Sequence, residues 1–171
     1  MNQPNLTAAP RHPDPHSSVQ EAALGALARH SFCTLATSSK RNRPHVVGVV
    51  YAVEHGLLYI HTLEASRKVR NVRENPNVAI CVPVRRFPMA PPFCVQFQAT
   101  ARVLATDDPE ITALTKAGRL KKIRGHGAME VPGSCVLRVE PGPTISTYGI
   151  GVPLLTIVRD RFHASRSVRI G

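Results

Sequence analysis

Between Phe93 and Ala105 the side chains alternate, with Val95, Phe97 and Ala99 facing one way and Gln96, Gln98 and Thr100 the other. A period of two sustained over so long a run is that of a β-strand with one face against a core. Further strand-like segments occupy Phe32 to Ser38, the valine-rich Pro44 to Val53, Leu57 to Thr62, Val78 to Val84, Ser134 to Glu140 and Thr144 to Tyr148. Polar turns at Ser39-Lys-Arg-Asn42 and Glu54-His-Gly56 connect the first three, so an antiparallel meander is expected there. Six or seven mostly antiparallel strands with short helices and no βα repeat define a mainly β chain, folded as a closed or split β-barrel.

The helices announce themselves by their ends. Ser18-Val-Gln-Glu21 is a capping box that opens a helix running to His30. A second, near Ser66 to Glu74, must stop at Asn75-Pro76, because the residue before proline disfavours helical geometry. A third, Glu110 to Ala117, starts at Asp107-Asp-Pro109 and closes at Gly118. Arg119 to Gly127 is basic and glycine-punctuated, hence a loop or frayed helix. Met1 to Ser17 holds four prolines and two histidines, so it is expected to be a mobile tail ahead of a single domain over residues 18–171.

With 22 Lys and Arg against 11 Asp and Glu, the chain carries a net charge of +11, which favours an anionic partner or ligand. Nucleic acid is the least favoured of these, because aromatics make up 5% of the chain, with no Trp, and offer few stacking platforms. Cys33, Cys81, Cys94 and Cys135 form no C-x-x-C pair, so no structural metal is expected and four buried thiols in a reducing compartment are. The apolar runs are too short to span a bilayer and no signal-peptide pattern opens the chain. A cytoplasmic location is therefore expected.

The charge is most informative at the second helix. Arg67 and Lys68 sit in its opening turn, where orphan N–H donors and the helix dipole favour acidic residues instead. An anion at that end removes the conflict. A phosphate there would receive the Thr62 and Ser66 hydroxyls, backbone N–H groups and both cations. The opposing reading is a solvated basic face over a buried side made by Val69 and Val72.

The spacing Thr62-x3-Ser66-Arg67-Lys68-x3-Val72-x2-Asn75-Pro76-x-Val78, between a valine-rich strand and another strand, resembles the pyridoxamine 5′-phosphate oxidase-like superfamily of flavin-binding split β-barrels. The resemblance implies a homodimer with FMN in a groove at the subunit interface. It implies that Arg67 and Lys68 bind the cofactor phosphate, with Ser66 beside them, and that His61 and Thr62 line the ribityl-phosphate channel. The backbone of Val46, Val47, Gly48 and Val49 would then run along the isoalloxazine ring. Val46 to Val53 lacks the Arg and Lys of the true oxidases, and the chain has no Trp to accompany Arg161-Phe-His163, an echo of their C-terminal motif. The substrate implied is thus a small organic molecule other than the vitamer.

Three functions follow. The first is an FMN-dependent oxidoreductase transferring hydride to or from that substrate; the segment Thr147-Tyr-Gly-Ile-Gly-Val-Pro153, similar to actinobacterial members, admits the deazaflavin coenzyme F-420 instead. The second is a non-catalytic flavin, deazaflavin or haem carrier. The third is nucleic-acid binding through the basic clusters at Lys40 to Arg43, Arg85-Arg86, Arg119 to Arg124 and Arg159 to Arg169. No catalytic residue is evident; His45, His61, His126 and Tyr148 are candidates for proton handling, and Gly125-His-Gly127 for a lid.

Overall fold

Eight strands form one antiparallel sheet in the computed structural model, which describes residues 15–85, 93–125, 128–150 and 164–170, together with Val152, Leu155 and Arg159. The strands are β1 (Phe32–Ser38), β2 (Pro44–Val50), β3 (Ala52–Glu54), β4 (Leu57–Leu63), β5 (Asn77–Val84), β6 (Phe93–Ala105), β7 (Ser134–Tyr148) and β8 (Ser165–Arg169). The helices are α1 (Pro15–Arg29), α2 (Arg67–Glu74), α3 (Pro109–Lys116) and α4 (Lys121–Arg124). The hydrogen-bonded order is β2-β1-β5-β6-β7-β4-β3, with β8 beside β7.

Consecutive in sequence, β2 and β3 stand at opposite ends of this order, with only Tyr51 between them. The sheet therefore rolls up until its two ends meet at one residue. Tyr51 is fully buried; its N–H donates to Ser31 O at 2.7 Å and its hydroxyl to Leu27 O at 2.9 Å. These bonds pin a break in what the sequence presents as one strand from Pro44 to Val53. Both short connections still join antiparallel pairs, as expected of a meander, but β1 pairs with β2 and β4 with β3, so the expected middle strand serves its two neighbours with separate halves.

The seam does not close along its length. The β3–β4 register runs from Glu54↔Leu57 to Ala52↔Tyr59 and ends there. Continued, it would set Val50 against His61 and Val49 against Thr62, yet among the described residues no ladder joins β2 to β4. The barrel is split between these two strands.

Inside lie Leu35, Leu58, Ile60, Ile80, Val95 and Leu137, all at most 2% exposed. Alternation in β4 places Leu58 and Ile60 in this core and Tyr59 on the other face, in a second cluster with Ile111 of α3, Leu120 just before α4, Ile123 of α4, and Val136. There the Tyr59 hydroxyl donates to Glu110 Oε1 at 2.5 Å, and Arg138 Nε lies 3.1 Å from the same oxygen.

Between Ser66 and Asn75, helix α2 occupies the expected span and buries Val69, Asn71 and Val72. Burying each valine stabilises by about 1.5 kcal/mol or more. Asn71 Nδ2 donates to Thr37 Oγ1 at 2.9 Å, and Thr37 is 3% exposed. Asn71→Ala leaves that hydroxyl short of a donor inside the protein. The expected cost is about 1 to 3 kcal/mol in urea unfolding, and a loss below 0.5 kcal/mol would show that the pair contributes nothing.

Other boundaries differ from expectation. Helix α1 begins at Pro15, three residues before the Ser18 capping box, so 15–17 belong to the helix; residues 1–14 lie outside the described residues. The two strands expected on either side of Pro141-Gly-Pro143 are one continuous β7, which accommodates the interruption through a register shift opposite Phe97 and Ala99. Strand β8 raises the count to eight, within a stretch the sequence presents only as a basic cluster. Of the four cysteines expected to be buried, Cys33 and Cys135 are, whereas Cys81 and Cys94 are partly exposed because they occupy the outward face of β5 and β6. Among the described residues no helix is long and apolar enough to cross a membrane.

Candidate functional site

Two residues, Glu64 and Ala65, separate the end of β4 from the N-cap of α2, Ser66, whose backbone is extended (φ −70°, ψ 150°). Its hydroxyl does not cap the helix and instead lies 3.4 Å from Thr62 Oγ1. Ser66 N–H donates to Leu63 O and Arg70 N–H to Ser66 O. Among the described residues, nothing accepts from the N–H groups of Arg67, Lys68 and Val69. The first turn holds no acidic residue. Glu64, close in sequence, pairs with Arg73 at 3.3 Å, and Glu74 accepts from Lys40 N–H at 3.0 Å. Neither carboxylate neutralises Arg67 or Lys68.

Arg67 is exposed and Lys68 half-buried. Burial pulls the Lys68 ammonium below its ordinary value, an effect partly opposed by Cys135. His61 is also lowered, first by burial and then by the Lys68 charge, so its imidazole stays neutral to lower pH than usual. Excess positive charge thus gathers at the start of α2 without a counter-ion among the described residues.

Thr62 and Ser66 are in contact, and Lys68 lies close enough to His61 to shift it. His61 and Thr62, as neighbours in a strand, point to opposite faces: Thr62 is 7% exposed toward α2, while His61 Nε2 lies 3.1 Å from Ser134 Oγ. In β2, Val47 and Val49 face the barrel interior, and Val46, Gly48 and Val50 face outward. Val46 and Val50 are 60% and 48% exposed, and Phe32, opposite Val50, is 50% exposed. The Phe32 ring covers Gly48 so closely that a Cβ there would lie 2.8 Å from it. Arg161, His163 and His126 lie outside the described residues.

The outward face of the sheet also holds a cavity of about 560 Å³, lined by residues that include Thr34, Ala36, Val46, Cys81, Gln96 and Gln98. Sequence reasoning assigned only Val46 among these to a site. The signal was present, since alternation in β6 already placed Gln96 and Gln98 on the face away from the core. Arg67 and Lys68 do not line this cavity, so the cationic helix start and the apolar chamber are separate features.

The overall arrangement is shared with known structures. The haem storage protein HutZ from Vibrio cholerae superposes with a TM-score of 0.65 at 17% identity, over 79% of this chain and 95% of that one. A haem-binding protein from Mycobacterium smegmatis gives a TM-score of 0.69 at 17% identity over 89% of this chain, which spans only 58% of that protein. An FAD-binding protein from Mesorhizobium loti gives 0.59 at 20% identity, over 73% of this chain and 90% of that one. At these identities the likeness establishes the fold. No curated protein matches the chain. The sequence profile described as pyridoxamine 5′-phosphate oxidase, however, matches residues 19–143, from α1 through the greater part of β7. This chain belongs to the pyridoxamine 5′-phosphate oxidase family.

Proposed function

We propose that the protein binds FMN and acts as an oxidoreductase on a small organic substrate. The observation that carries this reading is the start of α2: three N–H groups without acceptors, no acidic residue and two unneutralised cations, at one end of the split between β2 and β4. A phosphate monoester suits that charge, and the Thr62 and Ser66 hydroxyls add two donors. The unpaired edge of β2 from Val46 to Val49 offers backbone donors and acceptors to the polar rim of a planar ring. Bound there, the flavin supplies hydride chemistry, and the protein orients it and keeps water away.

No side chain is assigned a proton-transfer role. His61 holds Ser134, and its depressed pKa makes it a neutral partner near the phosphate rather than a second counter-ion. Haem would call for an iron ligand, whereas the helix start provides cations suited to a phosphate. FMN is accordingly favoured over haem, and over the deazaflavin because a single phosphate accounts for the local cations.

Extraction of the purified protein, followed by absorption and mass spectra, identifies the native ligand. Titration of the emptied protein with FMN, riboflavin, the deazaflavin and haem then ranks them. The expected order has FMN tightest and riboflavin much weaker. Tight haem binding without flavin affinity would contradict the reading.

The exposed apolar patch of Phe32, Val46 and Val50 belongs, on this reading, to a homodimer whose second subunit covers the edge of β2. Val46→Glu places a charge in the patch while leaving the barrel interior unchanged. Sedimentation velocity is expected to show a dimer for the parent chain and a monomer for the variant; an unchanged dimer would move the interface elsewhere.

A further inference from the structure

Cys81 and Cys94 stand on adjacent strands and on the same outward face, yet they are not directly opposite. Cys81 pairs with Gln96 and Cys94 with Pro83, which makes the two cysteines diagonal neighbours. Both are free and partly exposed, and Cys81 lines the 560 Å³ cavity. Burial first, and then the neighbouring Cys81, push the Cys94 thiol up to about 11. Cys33 and Cys135 have no exposed surface, so they do not compete for a ligand arriving from solvent.

Diagonal residues on one face have Cβ atoms about 7 Å apart or somewhat less. A disulfide needs about 3.8 Å. Diagonal placement thus suits a third atom between the sulfurs better than a bond between them. Two neighbouring thiols with soft, polarisable sulfur select soft partners over oxygen-preferring cations.

We propose that Cys81 and Cys94 form a dithiol site for a soft thiophilic centre that takes two thiolates, represented by a trivalent arsenical. With an aryl arsenoxide two As–S bonds form and the arsenic–oxygen bond breaks. The two thiol protons leave with that oxygen as water, and no electrons are transferred. The cavity beside Cys81 gives the organic group of the arsenical a place to lie. The thiols belong to none of the residues at the start of α2, while the cavity beside them shares Val46 with the stretch of β2 proposed for the flavin ring.

Phenylarsine oxide added to the full chain is expected to give one adduct per molecule by intact mass. That adduct should survive excess glutathione and be removed by dithiothreitol, because only a second dithiol matches the chelate. Cys81→Ser and Cys94→Ser should each weaken retention by roughly 100-fold, the loss of an intramolecular second contact. Cys33→Ser should leave it unchanged. Circular dichroism checks that each variant folds, and Cys81→Ala and Cys94→Ala replace any serine variant that does not. Absence of the adduct in the parent chain, its displacement by glutathione, or full retention after loss of either thiol would each overturn the proposal.

Discussion

Replacing Arg67 and Lys68 together with Ala is expected to lower FMN affinity by roughly 100-fold or more while leaving the thermal unfolding midpoint almost unchanged. Charge-assisted contacts to a phosphate contribute about 1.5 to 3 kcal/mol each when desolvated, and each 1.4 kcal/mol is tenfold in affinity. Arg67 is exposed, so solvent screening reduces its share, and a total near 3 kcal/mol is the reasonable expectation. The fold should persist because, among the described residues, neither cation makes an ion pair. Removing them should even relieve repulsion at the positive end of α2, by a few tenths of a kcal/mol. Parallel titrations with FMN and riboflavin separate a phosphate effect from a general one. Riboflavin affinity should barely change, and a similar loss for both ligands would place the cations elsewhere in the site.

An equally large effect, on stability, is expected at Gly149. It has φ +73°, and its N–H donates to Ala164 O at 2.9 Å. A Cβ there would lie 2.0 Å from Phe93 Cδ1, and Phe93 is 1% exposed, so its ring has nowhere to retreat. Gly149→Ala combines left-handed strain with overpacking, for a loss of about 3 to 5 kcal/mol. That is a large part of the 5 to 15 kcal/mol typical of a domain. Urea unfolding measures it, and Phe93→Leu in the same chain should recover part of the loss. A change below 1 kcal/mol would mean that the turn after β7 is differently built.

These two sites differ in how much the sequence disclosed. Helices α2 and α3 were legible because their ends are local chemistry: Ser66 and Asn75-Pro76 bound one, and Asp108 starts the other by accepting from Glu110 N–H at 2.9 Å. The faces of β6 were legible because alternation is also local. Strand pairing was not. The break at Tyr51, which divides the middle strand of the meander between two partners, depends on bonds to Leu27 and Ser31 that no short window along the chain contains. Strand β8, Ser-Arg-Ser-Val-Arg, has one buried residue, Val168, and reads as a charged tail until β7 is beside it. The β7 strand hid behind Pro141-Gly-Pro143, a sequence that ordinarily ends a strand and here sits at a register shift.

At the candidate site, residue identity was legible and orientation was not. Arg67 and Lys68 stood out as misplaced charges, and among the described residues neither has an ion-pair partner. That Val46 points outward while Val47 and Val49 point inward follows from register with β1, which valines alone do not reveal. The separation of His61 from Thr62 across the strand has the same origin, and it narrows the contribution of His61 to its contact with Ser134 and its place beside Lys68.

The central claim is that a cofactor phosphate rests on the N-terminus of α2, with its ring beside β2. A crystal structure of the FMN complex tests it most directly. The account predicts phosphate oxygens within hydrogen-bonding distance of the Arg67 and Lys68 N–H groups and the Thr62 or Ser66 hydroxyl, with the isoalloxazine ring along Val46 to Val49. A phosphate bound away from α2, or a flavin confined to the cavity beside Cys81, would contradict it.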